Sequence, residues 1–181
     1  MTELDFNQRG ICFLADRVLK KWPKEHSIER WASVYEKFQD YDARVVKVLD
    51  VNYEKNYFEM ELVTGIDCEK QMYTLPFEDK KRILLDVMDI HSNFFKFTCK
   101  ELRQTETFVH LDFRIDNLMY TKEKNVKLID PDSFGIVPLD RMNNHLYFGK
   151  YIDTLYNIKE KLGYRELDPE VVKTFGRGYT Q

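Results

Sequence analysis

Two short strings carry residue types that can act together, His110-Leu111-Asp112-Phe113-Arg114-Ile115-Asp116-Asn117 and Leu128-Ile129-Asp130-Pro131-Asp132. Asn117 stands five positions after Asp112, and Asp130 follows an apolar pair thirteen positions after Asn117. A carboxylate can orient a hydroxyl and accept its proton. A carboxamide and a second carboxylate are hard oxygen donors of the kind magnesium prefers. Transfer of a phosphoryl group from ATP to a hydroxyl needs both parts: a group that positions the acceptor and ligands that hold the metal against the phosphates. Asp112 suits the first task, Asn117 and Asp130 the second. Either string alone would read as a packed histidine or a solvated turn; the joint spacing points to chemistry.

The surrounding pattern can position these groups. Phe108-Val109 is a short apolar run suited to entering a buried turn. Leu118-Met119-Tyr120 and Asn125 to Ile129 read as two strands joined by the polar turn Thr121 to Asn125. Pairing them would bring Asn117 and Asp130 to neighbouring ends. Upstream, Gly10 to Leu14 and Arg17 to Trp22 read as a strand, a tight turn and a second strand, stopped by Pro23. Glu25 to Phe38 is a helix with Ile28, Trp31, Ala32, Tyr35 and Phe38 on its apolar face. Two more strands, Arg44 to Val51 and Tyr57 to Val63, flank a turn at Asn52 to Asn56, and Thr64-Gly65 ends that sheet. Phe77 to about Lys100 is the clearest helix. Pro76, Glu78 and Asp79 stand where an N-terminus favours them, and Ile83, Val87, Ile90 and Phe94 form one stripe with Leu84, Met88, His91 and Phe95 beside it. A last helix runs from Phe148 to Leu162 and is stopped by Gly163.

Composition narrows the function classes. The chain has 181 residues, 43% hydrophobic and 33% charged, enough for a real core under a soluble surface. A net charge of −3 gives no reason to expect nucleic-acid binding. Thirteen Phe and eleven Tyr are read as core packing rather than base-stacking platforms. Cys12, Cys68 and Cys99 are scattered and odd in number, which suggests reduced thiols in a cytoplasmic protein. No basic and apolar leader opens the chain, and no apolar window is long enough to span a membrane. His26, His91 and His145 form no pattern.

The first string resembles the H-G-D-x-x-x-x-N loop of the aminoglycoside phosphotransferase and choline kinase group, and the second resembles that group's I-D-x-D string. Met60-Glu61-Leu62-Val63-Thr64-Gly65 is similar to its M-E-x-x-x-G hinge. The Asp130-to-Phe134 run also resembles short bacteriophage protein kinases. The resemblance covers roughly residues 8 to 160. It implies an α+β, compact, two-lobed protein-kinase-like fold. Residues 1–65 would form a small antiparallel-sheet lobe and residues 66–181 a mainly helical one. ATP and Mg2+ would be the cofactors. Asp112 would be the catalytic base or hydroxyl-orienting group, and Arg114 would meet the transferred phosphate. Asn117 and Asp130 would ligate magnesium, with Asp132 a further ligand. Met60 would back the adenine pocket, while the Glu61 carbonyl and the Val63 amide would bond adenine. A strand lysine would meet the phosphates: Lys20 is favoured, because it shares a face with Val18 and Trp22 by the two-residue period, whereas Lys21 fits a V-A-I-K spacing. Its helix partner would be Glu29, with Glu36 next.

Three departures bear on function. Gly10 is the only glycine before Gly65, so a glycine-rich phosphate loop is absent and cover would rest on the turn at Gln8-Arg9-Gly10. Leu111 replaces the usual Gly or Arg. After Asp132 the chain is short and holds no A-P-E-like string, which favours a small-molecule or glycan hydroxyl as acceptor over a protein. The alternatives are a protein serine/threonine kinase of bacteriophage type, or a pseudokinase serving as a protein-binding module.

Overall fold

Alternating apolar residues in the first sixty positions build an antiparallel sheet. The computed structural model describes residues 5–22, 28–103, 105–138 and 146–162. Strands β1 (Ile11–Phe13) and β2 (Arg17–Lys21) form a hairpin closed by a bond from the Leu14 amide to the Arg17 carbonyl, 2.9 Å. Helix α1 (Ile28–Tyr41) follows, then β3 (Val48–Asn52) and β4 (Tyr57–Glu61), in the sheet order β1-β2-β4-β3. The five apolar residues expected on α1 are all buried. The expected helix start at Glu25, the strand stop at Pro23 and the helix stop at Gly163 lie outside the described residues.

Strand β5 (Gly65–Asp67) leaves that sheet and joins a second one, ordered β5-β7-β8, with β7 (Leu118–Thr121) and β8 (Val126–Leu128). The short helix α2 (Cys68–Gln71) leads to α3 (Phe77–Glu101). Strands β6 (Glu106–His110) and β9 (Phe134–Pro138) pair as a separate ribbon, and α4 (Leu146–Leu162) packs on α3. One continuous apolar core runs from Trp22 to Ile158. At its centre the fully buried Phe38 of α1 meets Phe94, Phe97 and Phe108 at ring distances of 4.9, 5.0 and 5.0 Å. The sheet-bearing and helical parts therefore share a core.

Three expectations need correction. Phe108-Val109, the apolar run that enters the turn, belongs to β6, whose partner strand β9 lies beyond both chemical strings. Residues 44–47 do not extend β3. Arg44 and Val46 bond instead to Leu128, whose amide donates to the Arg44 carbonyl at 2.7 Å and whose carbonyl accepts from the Val46 amide at 2.9 Å. The first sheet ends at Glu61, and Gly65 opens the next; a Cβ there would lie 2.4 Å from the Tyr120 carbonyl oxygen, so only glycine admits this close strand approach. Phe95, expected beside the buried stripe of α3, is 53% exposed.

Candidate active site

Strand β6 delivers the first string and β9 leaves the second, so their pairing sets the two loops side by side. The Leu111 amide donates to the Ser133 carbonyl at 2.6 Å, and the Ile129 amide donates to the Asn117 carbonyl at 2.9 Å. The 110–117 loop is anchored from beneath. Phe113 is buried, and its carbonyl accepts from Thr154 Oγ1 of α4 at 2.8 Å. His110 is buried against Phe134, ring centroids 4.7 Å apart, with Nε2 3.3 Å from the Ile129 carbonyl. A carbonyl only accepts, so this contact assigns the imidazole proton to Nε2. Burial pushes the His110 pKa down to about 4, which keeps the ring neutral. Its Nδ1 has no hydrogen-bond partner. The ring tethers one loop to the other.

Above this anchor the polar groups are half-exposed. Asn117 Nδ2 donates to the Asp112 carbonyl at 2.8 Å and lies 3.4 Å from Asp112 Oδ2. Arg114 Nε is also 3.4 Å from Asp112 Oδ2, while its other nitrogen meets Asp116 Oδ2 at 2.5 Å. A cation and an amide thus flank the Asp112 carboxylate.

The second string bends sharply. Asp130 adopts the left-handed conformation, φ +70°, in which aspartate is among the few tolerated non-glycine residues. The Ser133 amide closes the turn on the Asp130 carbonyl at 3.0 Å, and Ser133 Oγ donates to Asp130 Oδ2 at 2.6 Å. Both acidic side chains of this turn meet Lys20 of β2, Asp132 Oδ1 at 2.5 Å and Asp130 Oδ1 in a second ion pair. Burial disfavours the charge on all three groups, yet the attraction wins at two of them. Asp132 and Asp130 hold the Lys20 pKa above its ordinary value, and Lys20 with Ser133 holds Asp130 below its own. Asp132, buried beside the charged Asp130, is pushed up to about 6.

The residues expected around this centre separate into two groups. Lys20, Asp130 and Asp132 meet directly; Asp112, Arg114 and Asn117 form the neighbouring cluster. Lys21 instead sits over the Phe6 ring, 4.8 Å from its centroid. Glu29 is not the residue that meets Lys20. It is exposed and, with Glu36, lines a groove between α1 and β3, because the α1 side chains that reach the 130–134 turn are the aromatic Trp31 and Tyr35. Met60 on β4 stands between Val18 of β2 and Val48 of β3. The Glu61 amide donates to the Lys47 carbonyl at 2.9 Å. Its carboxylate accepts from the Lys47 amide at 2.8 Å and from Lys127 Nζ at 2.7 Å. Val63 lies half-buried between β4 and β5. The Gln8-Arg9-Gly10 turn lies at the Lys21 end of β2, where the Lys21 amide donates to the Gly10 carbonyl at 2.8 Å. Sequence reasoning missed Trp31, Ser133 and Lys127 as participants. Ser133 stood in the Asp-Pro-x-Ser-Phe run; Trp31 and Lys127 carry no local signal.

Among the described residues no three His, Cys, Asp or Glu side chains gather into a metal site. Two carboxylates, Asp130 and Asp132, and the Asn117 amide oxygen are a sparser set. Such a set fits magnesium, which keeps several waters and takes phosphate oxygens as ligands. That both carboxylates already converge on one cation shows that the turn favours positive charge.

No family model matches the chain, and no curated protein does. Among solved structures it is similar to the Cydia pomonella granulovirus kinase PK-1, with a TM-score of 0.55 and 16% identity over 75% of this chain and 52% of that one. The chain therefore spans about half the length of that kinase. This likeness establishes the architecture: an α+β protein-kinase-like fold. No described helix is long and apolar enough to cross a membrane.

Proposed function

We propose that this chain is an ATP- and magnesium-dependent phosphotransferase that moves the γ-phosphoryl group to a hydroxyl of a small-molecule or glycan acceptor. The observation that carries this reading is the meeting of Lys20 with Asp130 and Asp132 beside the Asp112–Asn117 cluster, within a kinase-like fold. Residues 1–65 would serve as the nucleotide-binding lobe and residues 66–181 as the catalytic one.

The roles follow from chemistry and placement. Asp112, half-exposed and flanked by Arg114 and Asn117, would orient the acceptor hydroxyl and take its proton as the new P–O bond forms. Arg114, 55% exposed on its side chain, would meet the anionic group in transfer. Asn117, Asp130 and Asp132 would hold magnesium, which supplies charge neutralisation to the phosphates when bound. Lys20 would turn from the carboxylates to a phosphate oxygen. Met60 would back the adenine, with the Glu61 carbonyl and Val63 amide as its hydrogen-bonding partners. The acceptor class rests on the sequence, which holds no A-P-E-like string after Asp132.

The test is incubation of purified protein with γ-labelled ATP and magnesium against sugars, aminoglycosides, choline and lysate protein. Labelled small molecule or glycan, lost in Asp112→Asn, is the expected result. Label on protein alone would move the assignment to a protein kinase. Nucleotide binding without transfer to any acceptor would favour a pseudokinase.

A further inference from the structure

Helix α1 turns an indole, rather than a carboxylate, toward the metal loop. Trp31 is 6% exposed, and its Nε1 donates to the Pro131 carbonyl at 3.0 Å. That carbonyl belongs to the residue between Asp130 and Asp132. The ring cannot readily turn away: it lies against Trp22, Tyr35 and Phe58 at centroid distances of 4.5, 5.1 and 5.3 Å. One helical turn on, Tyr35 sets its ring edge against Phe134 at 4.9 Å, and its hydroxyl is fixed by donating to the Val46 carbonyl at 2.7 Å. The loop is thus gripped at Pro131 and at Phe134 by two neighbouring side chains of one helix face.

The exposed acidic side chains of α1, Glu29 and Glu36, line the groove toward β3, and both carboxylates on Lys20 come from the loop. An ion pair from helix to strand is therefore not what relates α1 to the site in this structure. A peptide carbonyl directed at a fixed donor constrains the peptide planes on either side, and here one of those planes adjoins the left-handed Asp130. We infer that Trp31 is a positioning residue: its indole N–H holds the Pro131 carbonyl and so sets the Asp130 and Asp132 carboxylates for magnesium, which makes the placement of α1 a control on metal affinity. The inference rests on the phosphotransferase reading for the identity of the metal.

Trp31→Phe keeps the ring and removes the donor. Two measurements read the result: binding of a fluorescent ATP analogue in EDTA and across a magnesium titration, and amide hydrogen exchange at Ser133 and Phe134. Loss of one buried hydrogen bond should raise the half-saturating magnesium concentration about ten-fold, leave binding in EDTA unchanged, and speed exchange at both amides. If Trp31→Phe does not fold, benzothienylalanine at position 31, an isostere with sulfur in place of N–H, takes its place with the same expectations. Parent-like magnesium dependence and parent-like exchange would overturn the role of Trp31. If the parent protein binds the analogue with no dependence on magnesium, the phosphotransferase reading fails, and the magnesium half of this inference fails with it. Faster exchange in the variant would still separate that failure from a failure of the Trp31 contact.

Discussion

The two chemical loops lie side by side but are held in different ways. The 110–117 loop is anchored mainly by its own buried residues, His110 and Phe113, and its charged groups pair locally, Arg114 with Asp112 and Asp116. The 130–134 turn is held from a distance: Lys20 of β2 takes both its carboxylates, Trp31 of α1 takes its carbonyl, and Tyr35 takes its phenyl ring. In the first loop the half-exposed carboxylate of Asp112 has the Arg114 guanidinium and the Asn117 amide beside it. In the second, two half-buried carboxylates converge on one cation. One geometry suits proton transfer; the other suits holding metal and phosphate.

The largest expected effect breaks the second region. Asp130→Ala should abolish phosphoryl transfer while the fold persists, since a methyl group cannot ligate metal; near-normal turnover of the folded variant in ordinary magnesium would contradict the assignment. In the first region, Asp112→Asn should lower turnover by roughly 10²–10⁴-fold and leave ATP affinity nearly unchanged, because that loop is not the one that meets Lys20. Separate kcat and nucleotide-binding measurements check this, and a large loss of affinity at constant turnover would assign Asp112 to the metal instead.

A smaller effect sharpens the contrast between neighbours on one strand. Lys20→Ala should weaken nucleotide use about ten-fold or more, as the loss of a charge-assisted contact does. Lys21→Ala should be near neutral, because its ammonium rests on the Phe6 ring. Parallel nucleotide titrations decide between them, and equal behaviour of the two variants would remove β2 from the phosphate site.

The smallest effect concerns stability against pH. Burial pushes both His91 and His110 down to about 4. In the unfolded chain each imidazole takes a proton near its ordinary value of about 6.5, whereas the folded one stays neutral. Stability is therefore complete above about pH 6.5 and falls as pH drops toward 4, by up to about 1.4 kcal/mol per pH unit for each histidine. Denaturant melts of His91→Leu should show a shallower slope with turnover retained. His110→Leu should also flatten the slope, but with reduced turnover, because this ring tethers the two loops. An unchanged slope in both variants would rule out burial of neutral imidazoles as its cause.

The legible parts were those in which chemistry and neighbours lie close in the chain. Spacing alone picked out Asp112, Asn117, Asp130 and the β7–β8 hairpin that brings them together, since a short strand pair is written in local alternation. The apolar faces of α1 and α3 were likewise visible as a 3.6-residue period. The β6–β9 ribbon was not, because its strands are separated by both loops. Nor was the pairing of Arg44 and Val46 with Leu128, which depends on a backbone partner far along the sequence.

The amino-acid sequence by itself determined which groups can act and how they are grouped: oxygen donors at set intervals and a strand carrying two candidate lysines. Only the tertiary structure decided which lysine faces the acids, and that α1 reaches the metal loop with Trp31 instead of Glu29. The physical reason is the range of the forces involved. Turn closure, alternation and helical period act over a few residues and leave a local trace. The charges of Lys20 and Asp130 meet across 110 positions, and the Trp31 indole reaches the Pro131 carbonyl across 100. Such pairings exist only once the shared aromatic core has fixed the sheet and the helices against each other.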